Sequence, residues 1–239
     1  MLLQKLKQLI SCVAIAIISH HSFADLAVSG TRVIIYERNI EASINVSNDG
    51  TFPVLMQTWI DESSDKEQQT KNLISSPPLS RINPSEDQLV RLHLIDISKL
   101  SPNQESLFWL NIMEIQPNLQ QSRNSNFEIA YKHRLKVFYR PNSISDLKKI
   151  RVAPKNVIWS IKDQHTLQAE NPTPYHINLT KIIVRQNFKS VIIEADLIPP
   201  FSSRLYKTTA INLHHSLQSI EFKYVNDWGL IQTQNISFN

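Results

Sequence analysis

The chain is short of three things. It has one cysteine, Cys12, and three glycines, Gly30, Gly50 and Gly229. It also lacks charge of one sign, since 25 cations stand against 21 acids. Each shortage excludes something. Three scattered glycines rule out the phosphate-cradling loops of P-loop and dinucleotide-binding proteins. The balanced charge leaves no electrostatic footprint for nucleic acid. With its lone cysteine so near the start, the rest of the chain can form no disulfide and carry out no thiol catalysis.

What is present begins with a leader. Lys5 and Lys7 supply a positive start, Leu9 to Ile18 an apolar segment, and Ser22-Phe23-Ala24 a small-x-small cleavage site. The apolar run is short of the ~20 residues that span a bilayer, and no later run is longer. Residues 1–24 are therefore expected to be a signal peptide, cut after Ala24 to leave Asp25 as the first residue of an exported chain. Losing Lys5 and Lys7 leaves 23 cations against 21 acids, about +2. The segment Leu9-Ile10-Ser11-Cys12 has the look of a lipidation box, but most of the apolar stretch, Val13 to Ile18, follows the cysteine instead of preceding it.

Downstream, the pattern is of short strands and polar turns. Thr31–Tyr36, Ala42–Val46, Val54–Ile60, Gln88–Leu94 and Leu107–Ile115 read as strands, and Asp61–Asn72 and Gln116–Asn126 as exposed loops. A longer strand starts at Phe127. Phe127, Ile129 and Tyr131 alternate onto one face, and Lys132, Arg134, Lys136 and Arg140 thread the remainder before Pro141 stops it. Pro141–Lys149 reads as a hinge. Strands then resume at Asn156–Ile161, Thr166–Glu170, Ile177–Val184, Val191–Leu197, Thr209–Leu213, Gln218–Tyr224 and Leu230–Phe238. Spacings of this kind, without helical periodicity, predict an all-β protein of sandwich type. The divisions expected are 25–144 and 145–239.

Of the eight histidines, the six beyond the leader, His93, His133, His165, His176, His214 and His215, are the raw material for an enzyme. Adjacent residues of a strand face opposite ways, so His214 and His215 make a poor metal pair. Neither His-Glu-x-x-His nor Gly-x-Ser-x-Gly occurs. The reading is a protein with no catalytic residues, no cofactor and no metal. Trp59, Trp109, Trp159 and Trp228 would suit a secreted adhesin or carbohydrate-binding sandwich, but fall in strand-like segments where core packing is expected.

Several segments form a more specific set. They are Gly30-Thr31-Arg32-Val33-Ile34-Ile35-Tyr36, Pro77-Pro78-Leu79-Ser80-Arg81-Ile82-Asn83-Pro84, Glu105-Ser106-Leu107-Phe108-Trp109-Leu110-Asn111 and Leu135-Lys136-Val137-Phe138-Tyr139-Arg140-Pro141. Glu170-Asn171-Pro172-Thr173-Pro174-Tyr175, Pro200-Phe201-Ser202-Ser203 and Val225-Asn226-Asp227-Trp228-Gly229 complete it. In this order the set resembles the periplasmic chaperones of the chaperone–usher pilus pathway, across essentially the whole exported chain. The resemblance implies two immunoglobulin-like β-sandwich domains in a boomerang, with a subunit-binding cleft between them. It implies a periplasmic location, pilus subunits and an outer-membrane usher as partners, and no nucleic acid. Arg32 and Lys136 match the family's anchor for the subunit's terminal carboxylate. Phe127, Ile129 and Tyr131 match the residues that the family inserts into the subunit, a case of donor-strand complementation. Glu105, Arg140 and Asp227 match a charge cluster that crosses the cleft. Taken alone, the first two are also ordinary strand-end cations, and the three apolar residues an ordinary inward strand face. The donor edge offers a route to self-association as well. Two departures stand out. Ser85 replaces a usual glycine, and the short polar loop Gln116–Asn126 belongs with short-loop members of the family.

Overall fold

The computed structural model describes residues 25–63, 68–115, 130–186, 189–213 and 217–237. Among these described residues, nine strands of the first half build two facing sheets. They are β1 (Leu26–Val28), β2 (Arg32–Tyr36), β3 (Glu41–Asn48), β4 (Val54–Asp61), β5 (Leu73–Ser76), β6 (Leu79–Ile82), β7 (Asp87–Leu94), β8 (Ser106–Ile115) and β9 (Tyr131–Arg140). One sheet runs β1-β3-β7-β5 and the other β2-β9-β8-β4-β6. Alternation puts Ile44, Val46, Val90 and Leu92 of the first against Met56, Leu110, Ile112, Leu135 and Val137 of the second, as one buried core.

The second half holds β10 (Ile158–Asp163), β11 (Thr166–Asn171), β12 (Ile177–Gln186), β13 (Lys189–Glu194), β14 (Leu197–Ile198), β15 (Ser202–Lys207), β16 (Leu217–Val225) and β17 (Ile231–Ser237). Its sheets run β10-β11-β15 and β13-β12-β16-β17, with β14 also on β12. They close over a separate core that includes Trp159, Leu167, Ile182, Val184, Ile220 and Phe222. The protein is thus two β-sandwiches. Between β9 and β10 lies the predicted hinge, where a 3-10 turn at Asn142–Ile144 leads into helix α1 (Leu147–Val152). The Asp146 carboxylate caps α1 by accepting from the Lys148 and Lys149 amides.

The long alternating strands stand close to where the pattern puts them. The differences lie in short or shallow elements. Thr209–Leu213 is not a strand. Ile211 and Leu213 are buried loop residues, and the Leu213 amide donates to Gln164 O at 2.8 Å, so apolar spacing there reports anchoring of a loop. The strand is β15 instead, which buries only Tyr206 and so shows no alternation. β5 and β6 bury one side chain each, on either side of Pro77-Pro78, so they too show no alternation.

The tryptophans also depart from expectation. Trp159 is a core residue, but Trp59 and Trp109 are half-buried on the outer face, near Lys132 and near Arg134 and Lys136 respectively. Trp228 is 65% exposed and stacks on Arg151. Ser85 has a left-handed backbone, at φ 62°.

Candidate binding cleft

β2 is the element that creates the site. It pairs in parallel with β9 only from Arg32 opposite Lys136 to Tyr36 opposite Arg140. Upstream of Lys136, residues Tyr131 to Leu135 are paired with β8 on one side and with no strand on the other, among the described residues. The open stretch of β9 therefore ends at a pair of cations held side by side. Tyr131 starts the stretch, half-buried, on the face that carries Leu135, Val137 and Tyr139. Phe127 and Ile129 lie outside the described residues, as do residues 1–24 and the loop Gln116–Asn126.

Arg32 and Lys136 are both half-buried. Arg32 Nη1 donates to Val225 O of the second sandwich at 3.2 Å, and its guanidinium lies 5.9 Å from the Phe138 ring centre. Its Nε is buried without a hydrogen-bond partner. Burial lowers the Arg32 guanidinium's pKa, with Asp227 and Glu105 acting in the opposite sense from a distance. Burial also pushes the Lys136 ammonium below the ordinary lysine range, and the Arg32 charge pushes it further, against a smaller pull from Asp196. Neither cation forms an ion pair with a carboxylate among the described residues. Two like charges, partly desolvated and adjacent, make a site that gains by accepting an anion.

Four residues on, the same strand ends in a fully satisfied network. Arg140 is 2% exposed and so is Glu105, at the start of β8. Arg140 Nε donates to Glu105 Oε1 at 2.7 Å, and Nη2 also contacts that oxygen. Its Nη1 donates to Asp227 Oδ2 at 2.8 Å and to the Tyr36 hydroxyl at 3.1 Å. Glu105 Oε2 accepts from the His176 amide at 2.8 Å, with the His176 ring Nδ1 3.3 Å away. Tyr36 and Tyr175 flank the guanidinium, with ring centres 5.4 Å and 5.6 Å from it. Burial alone would raise the Glu105 carboxyl, but the His176 hydrogen bonds and the Arg140 charge hold it below its ordinary value. Burial likewise opposes the Arg140 charge, and its bonds to Asp227 and Glu105 win, so its pKa rises. Glu105, Arg140 and Asp227 therefore meet, and the cluster joins both sandwiches.

Local sequence explains each placement. Asn226 Oδ1 accepts from the Trp228 and Leu230 amides, and Gly229 turns at φ 79°, which aims Asp227 inward. Asn171 does the same for the facing turn: its Nδ2 donates to the Tyr175, Ile198 and Pro199 carbonyls, and its Oδ1 accepts from Thr173. Tyr175 Oη then donates to Ile144 O at 2.8 Å, pinning the hinge. Sequence reading missed His176, Tyr36 and Tyr175 as members of the network. The two tyrosines sit inside the motifs already singled out, and His176 follows one directly, so adjacency was the available signal.

Between the two sandwiches lies a cavity of about 510 Å³. Its walls include Arg32, Phe138, Arg140, Tyr175, Tyr224 and Trp228. Of the other histidines, His93 pairs with Glu41 on the surface, and His214 and His215 lie outside the described residues. No cluster that could hold a metal occurs among the described residues. None of their helices is long and apolar enough to cross a membrane.

Residues 25–145 match the family described as "Pili and flagellar-assembly chaperone, PapD N-terminal domain", and residues 152–236 match "Pili assembly chaperone PapD, C-terminal domain". The chain belongs to the pilus-assembly chaperone family. Relatives agree along almost the full length. It is 28% identical over 227 residues to the "Probable fimbrial chaperone YadV" of Escherichia coli, covering 92% of this chain and 91% of that one. It is 31% identical over 216 residues to "Chaperone protein FimB/FhaD" of Bordetella pertussis, covering 86% and 85%. The crystal structure of YadV superposes with a TM-score of 0.77 at 28% identity, over 90% of this chain and all of that one. The SafB chaperone of Salmonella enterica, solved in complex with the SafA pilin, shares the fold at a TM-score of 0.76 and 21% identity, over 91% and 98%. Membership of this chaperone family, with its immunoglobulin-like sandwiches, sets aside the adhesin and carbohydrate-binding alternative.

Proposed function

We propose that this pilus-assembly chaperone captures pilus subunits in the periplasm, completes their fold with a strand of its own and passes them to an outer-membrane usher. The observation that carries the reading is the anion-hungry pair, Arg32 and Lys136, at the point where the edge of β9 becomes open. A chain whose last carboxylate docks on that pair is in register to add its own strand along Tyr131–Leu135, with main-chain hydrogen bonds supplying affinity. Upstream, Phe127, Ile129 and Tyr131 are the side chains offered to a groove in the subunit, at about 1.5–3 kcal/mol for each one buried. Glu105, Arg140 and Asp227 hold the angle of the cleft, since loss of one leaves the others buried and uncompensated. The protein works by binding alone, with no catalytic step. The proposed divisions are a leader over 1–24 and functional halves over 25–144 and 145–239.

The test is recovery of a co-expressed pilus subunit from the periplasm by Arg32→Ala and Lys136→Ala, with circular dichroism of each variant. The expected result is native spectra with loss of that recovery. Normal recovery by both variants would remove the anchor assignment.

A further inference from the structure

A second charged group is buried where the function has no use for it. Glu114, near the end of β8, is fully buried on the face that carries Phe108, Leu110 and Ile112. Its two oxygens address the first two backbone nitrogens of the described chain. Leu26 N lies 3.1 Å from Oε2, and Asp25 N lies 3.5 Å from Oε1. The position of those nitrogens is fixed. Leu26–Val28 pairs with Asn48–Val46, and the Asp49 amide donates to Asp25 O at 2.8 Å. Gly50 completes the seat, because a side chain there would run into Asp25.

The leader's small-x-small site places cleavage between Ala24 and Asp25. The nitrogen that cleavage would free is thus one of the two that Glu114 addresses. We infer that the new α-ammonium of Asp25 is the ligand of a buried seat headed by Glu114, so that removal of the leader finishes the first sandwich. This rests on the proposed processing.

The chemistry favours the cleaved form. In the precursor that nitrogen is an amide, neutral, with one N–H to give. After cleavage it is an ammonium with three, and its bond to a carboxylate is charge-assisted, shorter and roughly twice as strong. It also relieves a like-charge contact. Burial and the Glu114 charge raise the carboxyl of Asp25 itself above its ordinary range. Among the described residues, the other ionisable groups beside the seat include Asp49 in the adjoining turn and Tyr131, opposite Glu114 across the β8–β9 ladder.

The test starts with the intact mass of the exported protein, which should correspond to an Asp25 start. That protein is then compared with the same chain retaining Ala24 and with the chain acetylated at Asp25. Both changes should raise the unfolding equilibrium constant about tenfold, in line with a hydrogen bond to a charged group. In Glu114→Gln the difference should collapse. Should that variant not fold, NMR titration of the Asp25 amine in the unaltered protein decides. Its pKa should lie above the ~8 of a free α-amine and return there in denaturant. A different start overturns both the processing and the pairing. An Asp25 start with equal stability of unmodified and acetylated chains, or an amine titrating at its ordinary value, overturns the pairing alone.

Discussion

The last strands of the two sandwiches, β9 and β17, occupy equivalent places and differ in almost everything else. Each pairs antiparallel with the strand before it, β8 or β16. On its far edge β9 is covered by β2 from Lys136 onward, whereas β17 has no strand there among the described residues. β9 buries Leu135, Val137 and Tyr139 in the core, while β17 offers Gln232, Thr233, Gln234 and Asn235 and leaves Ile231 exposed. The strand with more open edge is thus the blander one. An unpaired edge becomes a binding site only when something fixes the partner's register on it, and in the proposed function the Arg32–Lys136 pair does this for β9. The two strands are also tied together, because Arg140 ends β9 and Asp227 lies in the turn that opens β17.

Breaking the core role of β9 should have the largest effect. Val137→Asp places an unpaired charge in a fully buried position and should abolish folding, whereas Ile231→Asp in β17 should move the melting temperature by less than about 2 °C. Soluble yield and calorimetry measure both. If the two variants behaved alike, the contrast between the strands would fail.

Cutting the tie comes next. Arg140→Ala leaves Glu105 buried without its countercharge and should cost about 3–5 kcal/mol, or roughly 10 °C in melting temperature. The pH dependence follows from the depressed Glu105 carboxyl. Its stabilisation is complete above its unfolded pKa, about 4.3, and is lost as pH falls through the lower folded value. Stability of the wild-type protein should therefore fall between those two values, and the Arg140→Ala protein should lack that drop. An unchanged acid profile in the variant would count against the tie.

Smaller effects sharpen the contrast between turns. Gly229, before β17, has φ 79° and abuts Thr31 of the first sandwich, so Gly229→Ala should destabilise by about 1–2 kcal/mol. Ser85, before β7, holds φ 62° without being glycine, so Ser85→Gly should gain at most about 1 kcal/mol. Equal and same-signed shifts in calorimetry would show that backbone strain is not what separates the two turns.

The sequence revealed most where burial alternates. β3, β4, β8, β12 and β16 carry apolar residues at most of their inward positions, close to every second one, and their pattern survives folding. β5, β6 and β15 bury a single side chain each, so no period could announce them. The site divides in the same way. Arg32, Lys136, Glu105, Arg140 and Asp227 could be named because they sit in local motifs. That Arg32 faces Lys136, or that His176 caps Glu105, depends on pairings between residues far apart in the chain, which no local pattern encodes. Trp59 and Trp109 misled because an aromatic in a strand reads as core whichever face it occupies.

The central claim is that Arg32 and Lys136 read a terminal carboxylate and so set the register on β9. Titration calorimetry with a peptide matching the carboxyl end of a pilus subunit tests it most directly. The free acid is compared with the terminal carboxamide, and the pair is repeated on Lys136→Met. Binding of the acid should weaken as pH rises through the depressed Lys136 value, because the bound carboxylate favours the protonated amine. The carboxamide should bind wild type about 30-fold or more weakly, as expected when a buried charge pair is broken, and Lys136→Met should discriminate far less between the two. Equal affinity of wild type for acid and carboxamide would contradict the account.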